Sequence, residues 1–181
     1  MNNKIIWNTA CIAGLALGAV STACMFAGQF LSTLQLSQGA TTLYGLLLWI
    51  LETGTCIWLM RFFMKKMVKE NDGVTNSQTF KMGMATAVLS GLLFSAVTFA
   101  NIAYISADYY TENVYTVIEQ MSSSLDSNSI AAVDKIIDYL PQISFFSTLI
   151  QCVIFGIIVA AILSRTIPNK DPFANFKADE Q

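Results

Sequence analysis

The sequence predicts an all-α, polytopic membrane protein: a four-transmembrane-helix bundle with a periplasmic amphipathic helical hairpin between helices 3 and 4. Three observations carry this prediction. Hydrophobic residues make up 54% of the 181 residues and charged residues only 12%, whereas a soluble domain carries about 25% charged residues. The apolar residues gather in four long runs. Nine of the ten basic residues lie near the same ends of those runs, and Lys135 is the exception.

Each apolar run is long enough to cross about 30 Å of hydrocarbon as a helix. The runs are continuous rather than alternating, and only helices and closed barrels satisfy the backbone in lipid, so we expect helices. Ala23-Cys24 in the first run is similar to a lipoprotein cleavage site, but Ser21 stands where an aliphatic residue is usual. This run also exceeds the ~7–15 residues of a signal-peptide core, so it is predicted to be a retained span. The four predicted spans are residues 9–34, 41–64, 80–105 and 143–163.

The basic residues predict the orientation of the chain, because lysine and arginine concentrate in cytoplasmic loops. They lie near the N-terminus, between the second and third spans, and after the fourth span, at Lys4, Arg61, Lys65, Lys66, Lys69, Lys81, Arg165, Lys170 and Lys177. The segment between the third and fourth spans carries six acidic residues and one lysine, and all six tyrosines fall at or beyond this opposite boundary. We therefore expect a multi-pass membrane protein with both termini in the cytoplasm.

Outside the spans, local signals predict a capped helix and an outer hairpin. Thr75-Asn-Ser-Gln78, after a turn at Asp72-Gly73, is typical of a capping box. In residues 107–142, apolar residues recur at helical spacing on both sides of a turn at Asp126-Ser-Asn-Ser129, and Pro141 is predicted to end the second helix. The apolar face of this hairpin either caps the bundle or lies along the outer leaflet. The predicted domains are a membrane domain, 1–167, and a disordered cytoplasmic tail, 168–181.

Small residues recur every four positions in three of the four spans, a pattern that lets helix backbones approach closely in lipid. Such stripes either pack the bundle internally or form a face for a membrane partner. They are Ala10, Gly14, Gly18 and Thr22 in the first span, Gly83, Ala87, Gly91 and Ser95 in the third, and Thr148, Cys152, Gly156 and Ala160 in the fourth.

Glu52 is the one acidic or basic residue deep inside a span. An ionised carboxylate exposed to lipid at that depth costs at least ~2.5 kcal/mol, so we expect the side chain to face the bundle. Gln151 of the fourth span lies at a similar depth, and Ser21, Thr22 and Ser95 lie near this level. These five residues form a candidate intramembrane polar site. It is either a Glu52–Gln151 hydrogen bond that fixes helix pairing, or a proton or substrate site.

The sequence predicts no catalytic, metal-binding or cofactor-binding set. It contains no histidine, the commonest general base and metal ligand. The four cysteines lie in apolar runs without a CxxC pair, and no P-loop, GxGxxG, GxSxG or HExxH motif occurs. The net charge of −2 provides no basic field for nucleic acid. We therefore expect a protein that is not an enzyme, uses no cofactor and binds no nucleic acid.

Three short motifs lie around the second and third spans: Arg61-Phe-Phe-Met-Lys-Lys, Asp72-Gly-Val and Phe80-Lys-Met-Gly83. With the acidic, tyrosine-rich exit from Tyr104 to Glu112, they make the chain resemble the bacterial membrane family called domain of unknown function 4199 (DUF4199), common in Bacteroidota. The resemblance implies four spans in an inner membrane and no assigned chemistry. Family members are often encoded near a glycosyltransferase resembling dolichol-phosphate-mannose synthase, which implies a context of envelope glycolipid work.

Two functional hypotheses follow from the sequence. The first is a non-enzymatic accessory, anchoring or regulatory subunit for a membrane partner, either a glycosyltransferase or a second copy of the chain, and it is motivated by the small-residue stripes. The second is a small transporter or lipid-handling protein that uses Glu52 as a proton-coupled or headgroup-contacting site. An enzyme ranks third, because no second acid–base group pairs with Glu52.

Overall fold

The computed structural model describes residues 3–32, 34, 37–71, 73–121 and 136–167. Four long apolar helices dominate it, each of at least 25 residues, and at 1.5 Å per residue each can cross about 30 Å of hydrocarbon. The predicted all-α fold with four membrane-spanning helices is therefore confirmed. The helices are α1 (Asn3–Ser32), α2 (Gln38–Glu70), α3 (Asn76–Ala100), the shorter α4 (Ala107–Met121) and α5 (Leu140–Thr166).

Most of these helices extend beyond the predicted spans at their basic ends. α2 continues to Glu70, because its polar last turns keep their helical hydrogen bonds in the headgroup region and in water. α3 begins at Asn76, where the predicted capping box is confirmed. The Thr75 hydroxyl accepts a hydrogen bond from the Gln78 backbone N–H, and the Gln78 side chain accepts one from the Thr75 N–H. Gly73 before it has φ 73°, a left-handed turn conformation that favours glycine.

The small-residue stripes of α3 and α5 pack against each other in an antiparallel register. A Cβ added at Gly83 would lie 2.7 Å from the Cβ of Ala160, and one added at Gly91 would lie 3.2 Å from the Cβ of Cys152. Between these two pairs, Gly156 lies directly against Ala87. Close contact at these three pairs increases the dispersion contacts that drive helix association where lipid supplies no hydrophobic force.

The stripe of α1 packs against the opposite side of α3, and these two helices are parallel. A Cβ at Gly14 would lie 2.8 Å from the Cβ of Leu89, and one at Gly18 would lie 2.7 Å from a Leu93 methyl group. α3 is thus the central helix, and α1 and α5 make no close backbone contact with each other among the described residues. All three stripes are occupied inside the chain, so they no longer support a separate partner-binding face.

The hydrophobic core lies at the basic end of the bundle. Toward the other end, α2 diverges from the neighbouring helices. Met60, Met64 and Met67 of α2 are buried together with Met82 of α3. In the outer half of α2, by contrast, Leu48 is the only half-buried side chain in residues 41–51, and the others are exposed. The bundle is therefore tight at one end and open between α2 and its neighbours toward the other.

At the outer end α3 passes into a π-helical segment, Asn101–Ile105, and α4 begins after Ser106. α4 is the predicted first helix of the outer hairpin, and it approaches the backbone of the bundle only at the π-helical segment. The predicted turn at 126–129, most of the second hairpin helix and the tail 168–181 lie outside the described residues. Pro141 occupies the first turn of α5, where its missing N–H is harmless.

Candidate functional site

A cavity of about 350 Å³ lies between α2 and α5, with α1 and α3 behind it. It exists because α2 diverges from α5 and because the residues behind it, such as Ala87 and Ser90, are small. Met60 and Val159 are buried and close its basic end. Trp49 is 62% exposed and Phe155 is 44% exposed, so the cavity opens sideways between these rings. In a membrane that opening faces lipid.

Polar side chains form a band inside this otherwise apolar cavity. They come from all four long helices and include two cysteine thiols: Ser21, Glu52, Thr53, Cys56, Ser90, Thr148, Gln151 and Cys152. Helical spacing of three and four residues places Glu52 with Cys56, and Thr148 with Gln151 and Cys152, on the cavity-facing sides of α2 and α5. The band lies near the middle of both helices, hence at mid-depth in the bilayer.

Glu52 and Gln151 line the cavity from its opposite walls, α2 and α5; Glu52 is half-buried and Gln151 is exposed. Neither forms a hydrogen bond within the described part of the chain, and the predicted direct bond between them is not formed. Of the two alternatives, the hydrogen-bonded pair is not the one formed, because similar depth on two helices does not bring side chains together when a cavity separates the walls. The hydroxyl groups of Ser21 and Ser90 do have hydrogen-bond partners. The Ser21 Oγ lies 3.8 Å from the Cys56 Sγ, and the Ser90 hydroxyl donates to the Ala87 backbone carbonyl at 3.2 Å.

The other two predicted site residues, Thr22 and Ser95, do not line the cavity. Ser95 is fully buried and donates to the Leu92 carbonyl at 3.2 Å. Thr22 follows Ser21 and therefore lies about 100° around the helix. Its buried hydroxyl has no partner among the described residues, and nothing in the structure explains this.

Sequence reasoning missed five members of the polar band, which are Thr53, Cys56, Ser90, Thr148 and Cys152. Ser90 lies three residues after Ala87 and four before Phe94 on the same face of α3. This spacing could have placed Ser90 on the same face of α3 as Ala87 and Phe94. It could not have shown that this face borders a cavity.

A second polar cluster joins α1, the π-helical segment and α4. The Tyr110 hydroxyl accepts hydrogen bonds from the side-chain amides of Gln29, at 2.8 Å, and of Asn101, at 3.2 Å. Asn101 is fully buried, and its side-chain carbonyl oxygen, Oδ1, accepts a hydrogen bond from the Ser106 hydroxyl at 3.1 Å. These groups satisfy one another, as buried structural networks do. The cavity differs, because its two most polar side chains lack partners.

The cavity can supply hydrogen bonds, and its composition limits the rest of its chemistry. The cysteines are free thiols, and the described residues contain no group of three or more His, Cys, Asp or Glu side chains that could hold a metal ion. Glu52 and Gln151 offer an acceptor on one wall and an amide on the other.

A model of a known protein family matches residues 9–165, a range that includes all the residues that line the cavity. The chain belongs to the DUF4199 family. The family is described as "Protein of unknown function (DUF4199)", so membership in DUF4199 confirms the resemblance and assigns no activity. A comparison with curated proteins gives no match. A comparison with solved structures gives none either.

Proposed function

We propose that this DUF4199 protein is a non-enzymatic membrane protein that binds a lipid-soluble molecule in the cavity between α2 and α5. The observation that carries the proposal is the pair Glu52 and Gln151, which face one laterally open cavity without hydrogen-bond partners in the described structure. Polar groups left unpaired in hydrocarbon each cost several kcal/mol, on the order of the ~2–7 kcal/mol found for transfer out of water. A bound molecule that pairs with both recovers this cost.

The size and entrance of the cavity support a lipid-soluble occupant. A volume of about 350 Å³ lies at the small end of the ~300–1,000 Å³ typical of small-molecule sites. The mouth lies between Trp49 and Phe155 on the side of the bundle, and Met60 and Val159 close the basic end. The lining holds no aspartate, lysine or arginine and no second glutamate to pair with Glu52, and this supports binding or transport rather than acid–base catalysis.

Filling the cavity tests the proposal. Thr53 lines the cavity, and Thr41, also on α2, is exposed outside it. Native mass spectrometry of protein extracted gently from its own membranes should show a retained lipid on the wild type and on Thr41→Phe. Thr53→Phe should lose it while keeping the same elution volume and helix content. Retention of the lipid by a folded Thr53→Phe at the wild-type occupancy would refute the proposal.

A second candidate is the accessory or anchoring subunit, and the outer half of α2 now supports it. Leu48 lies near Gly28 of α1, but the other residues of 41–51 are exposed, for example Leu47, which is 51% exposed. The partner would be a membrane protein, and the sequence resemblance favours a glycosyltransferase or a second copy. A photo-reactive residue at Leu47 should then give one defined adduct in cells, whereas the same residue at Ile158 of α5 should give none. Identical patterns at both positions would contradict it.

A further inference from the structure

The hydrogen-bonding capacity of the two cavity walls restricts what can pair with both of them. Glu52 offers acceptor oxygens, and Gln151 offers two N–H donors and one carbonyl acceptor. An ester or ketone can accept from Gln151 but gives nothing to a carboxylate. An ammonium group can donate to Glu52, but it has no lone pair and therefore leaves the amide donors of Gln151 unpaired. A hydroxyl group carries one donor and two lone pairs, so a single hydroxyl can satisfy both walls at once.

Charge also restricts the ligand. No lysine or arginine lines the cavity within the described chain. The nearest basic residue along α2, Arg61, lies nine residues from Glu52, about 13 Å along the helix axis. A phosphate group beside Glu52 would therefore meet a carboxyl group without a compensating cation. Anionic headgroups also stay at the membrane surface, whereas the polar band lies at mid-depth. The lining therefore disfavours an anionic group.

The apolar part of the cavity indicates how the rest of the molecule lies. Trp49, Phe94 and Phe155 surround the polar band, and the cavity accommodates a head and the first few methylene groups rather than whole acyl chains. The side opening lets the remaining chain stay in the bilayer. A ligand with a small neutral head and long apolar chains fits this arrangement.

Resting on the proposed function, we infer that the ligand is a neutral lipid with a free hydroxyl group, such as a diacylglycerol, held by Glu52 and Gln151 from opposite walls. The hydroxyl donates to Glu52 and accepts from the Gln151 amide. The class excludes phospholipids with intact phosphate and neutral lipids without a donor.

Competition photo-labelling tests this class. The full chain in nanodiscs is labelled with a diazirine-bearing diacylglycerol, and adducts are mapped by peptide mass spectrometry. Unlabelled dioleoylglycerol should abolish labelling on α2 and α5. Its methyl ether and dioleoyl phosphatidic acid should each compete about tenfold less well, the loss expected for one unmade hydrogen bond or more.

Variants at Glu52 separate hydrogen bonding from charge. Glu52→Leu removes the acceptor and should weaken labelling about tenfold. Glu52→Gln keeps an acceptor without the charge and should stay within about threefold of the wild type, which a cationic ligand would not allow. Glu112→Gln on α4, an exposed residue outside the cavity, is the matched control and should have no effect.

The outcomes separate the two proposals. The first outcome is that neither this probe nor a diazirine-bearing phosphatidylcholine labels α2 and α5. That result would refute lipid binding in the cavity and would favour a protein partner as its occupant. The second outcome is that labelling maps to the cavity, but the methyl ether displaces the probe as well as dioleoylglycerol does, or Glu52→Leu leaves labelling unchanged. That result would overturn the hydroxyl-lipid inference and would still show that the cavity binds lipid.

Discussion

The α3–α5 interface provides a quantitative test of the packing at Gly83. A Cβ added there would lie 2.7 Å from the Cβ of Ala160 and 2.7 Å from the terminal methyl of Met64. Carbon atoms in contact normally lie about 3.5–4.0 Å apart. The Met64 methyl can rotate away, but the Ala160 Cβ is fixed to its backbone. Gly83→Ala therefore forces the two helices apart by about 1 Å.

The expected magnitude follows from two opposing effects. Overpacking of this kind costs about 1–3 kcal/mol, and alanine is the better helix former by about 1 kcal/mol. Gly54→Ala on α2 is the matched control, because a Cβ there would meet nothing within 4 Å. The free energy of unfolding should therefore be about 1–3 kcal/mol lower for Gly83→Ala than for Gly54→Ala.

The reciprocal double variant isolates the contact. Gly83→Ala with Ala160→Gly exchanges the two small residues, so the helix-propensity effects cancel and the clash between the two Cβ atoms is removed. Unfolding by SDS in mixed micelles, followed by circular dichroism, should show stability restored in the double variant and a coupling energy of about 1–3 kcal/mol. The packing register would be refuted if Gly83→Ala matched Gly54→Ala, or if Ala160→Gly failed to rescue it.

Two further predictions concern the outer end and the orientation. Tyr110→Phe removes the acceptor for the buried amide of Asn101 and should lower the free energy of unfolding by about 1–3 kcal/mol. Tyr109→Phe, at the exposed neighbour, should stay within about 0.5 kcal/mol. In intact cells, a membrane-impermeant amine reagent should label Lys135 and not Lys66, whereas labelling of both from outside would contradict the predicted topology.

The four helices and the start of α3 were predictable because they depend on local properties of the chain. A run of more than 20 apolar residues has one solution in lipid, and the capping box at Thr75 and Gln78 depends on residues three apart. The small-residue stripes also predicted close packing. Which stripe meets which was not predictable, because the register of Gly83 with Ala160 is set by the whole α3–α5 interface.

The candidate site was predicted in part. Depth along the helix brought Glu52, Gln151 and Ser21 to one level, and all three line the cavity. Depth says nothing about distance across the bundle, so the sequence could not reveal that α2 diverges and leaves Glu52 and Gln151 apart. Thr22 was misassigned for a related reason, since neighbouring residues on a helix share a level but not a face.

The accessibility of Glu52 from lipid tests the central claim most directly. Dicyclohexylcarbodiimide is an apolar reagent that partitions into hydrocarbon and converts carboxyl groups to stable N-acylureas. Treatment of membranes, followed by peptide mass spectrometry, should give the adduct on Glu52, and the adduct should disappear in Glu52→Gln. If Glu52 stays unmodified while exposed acids such as Glu112 react, the carboxyl group does not face a cavity open to lipid, and the account is contradicted.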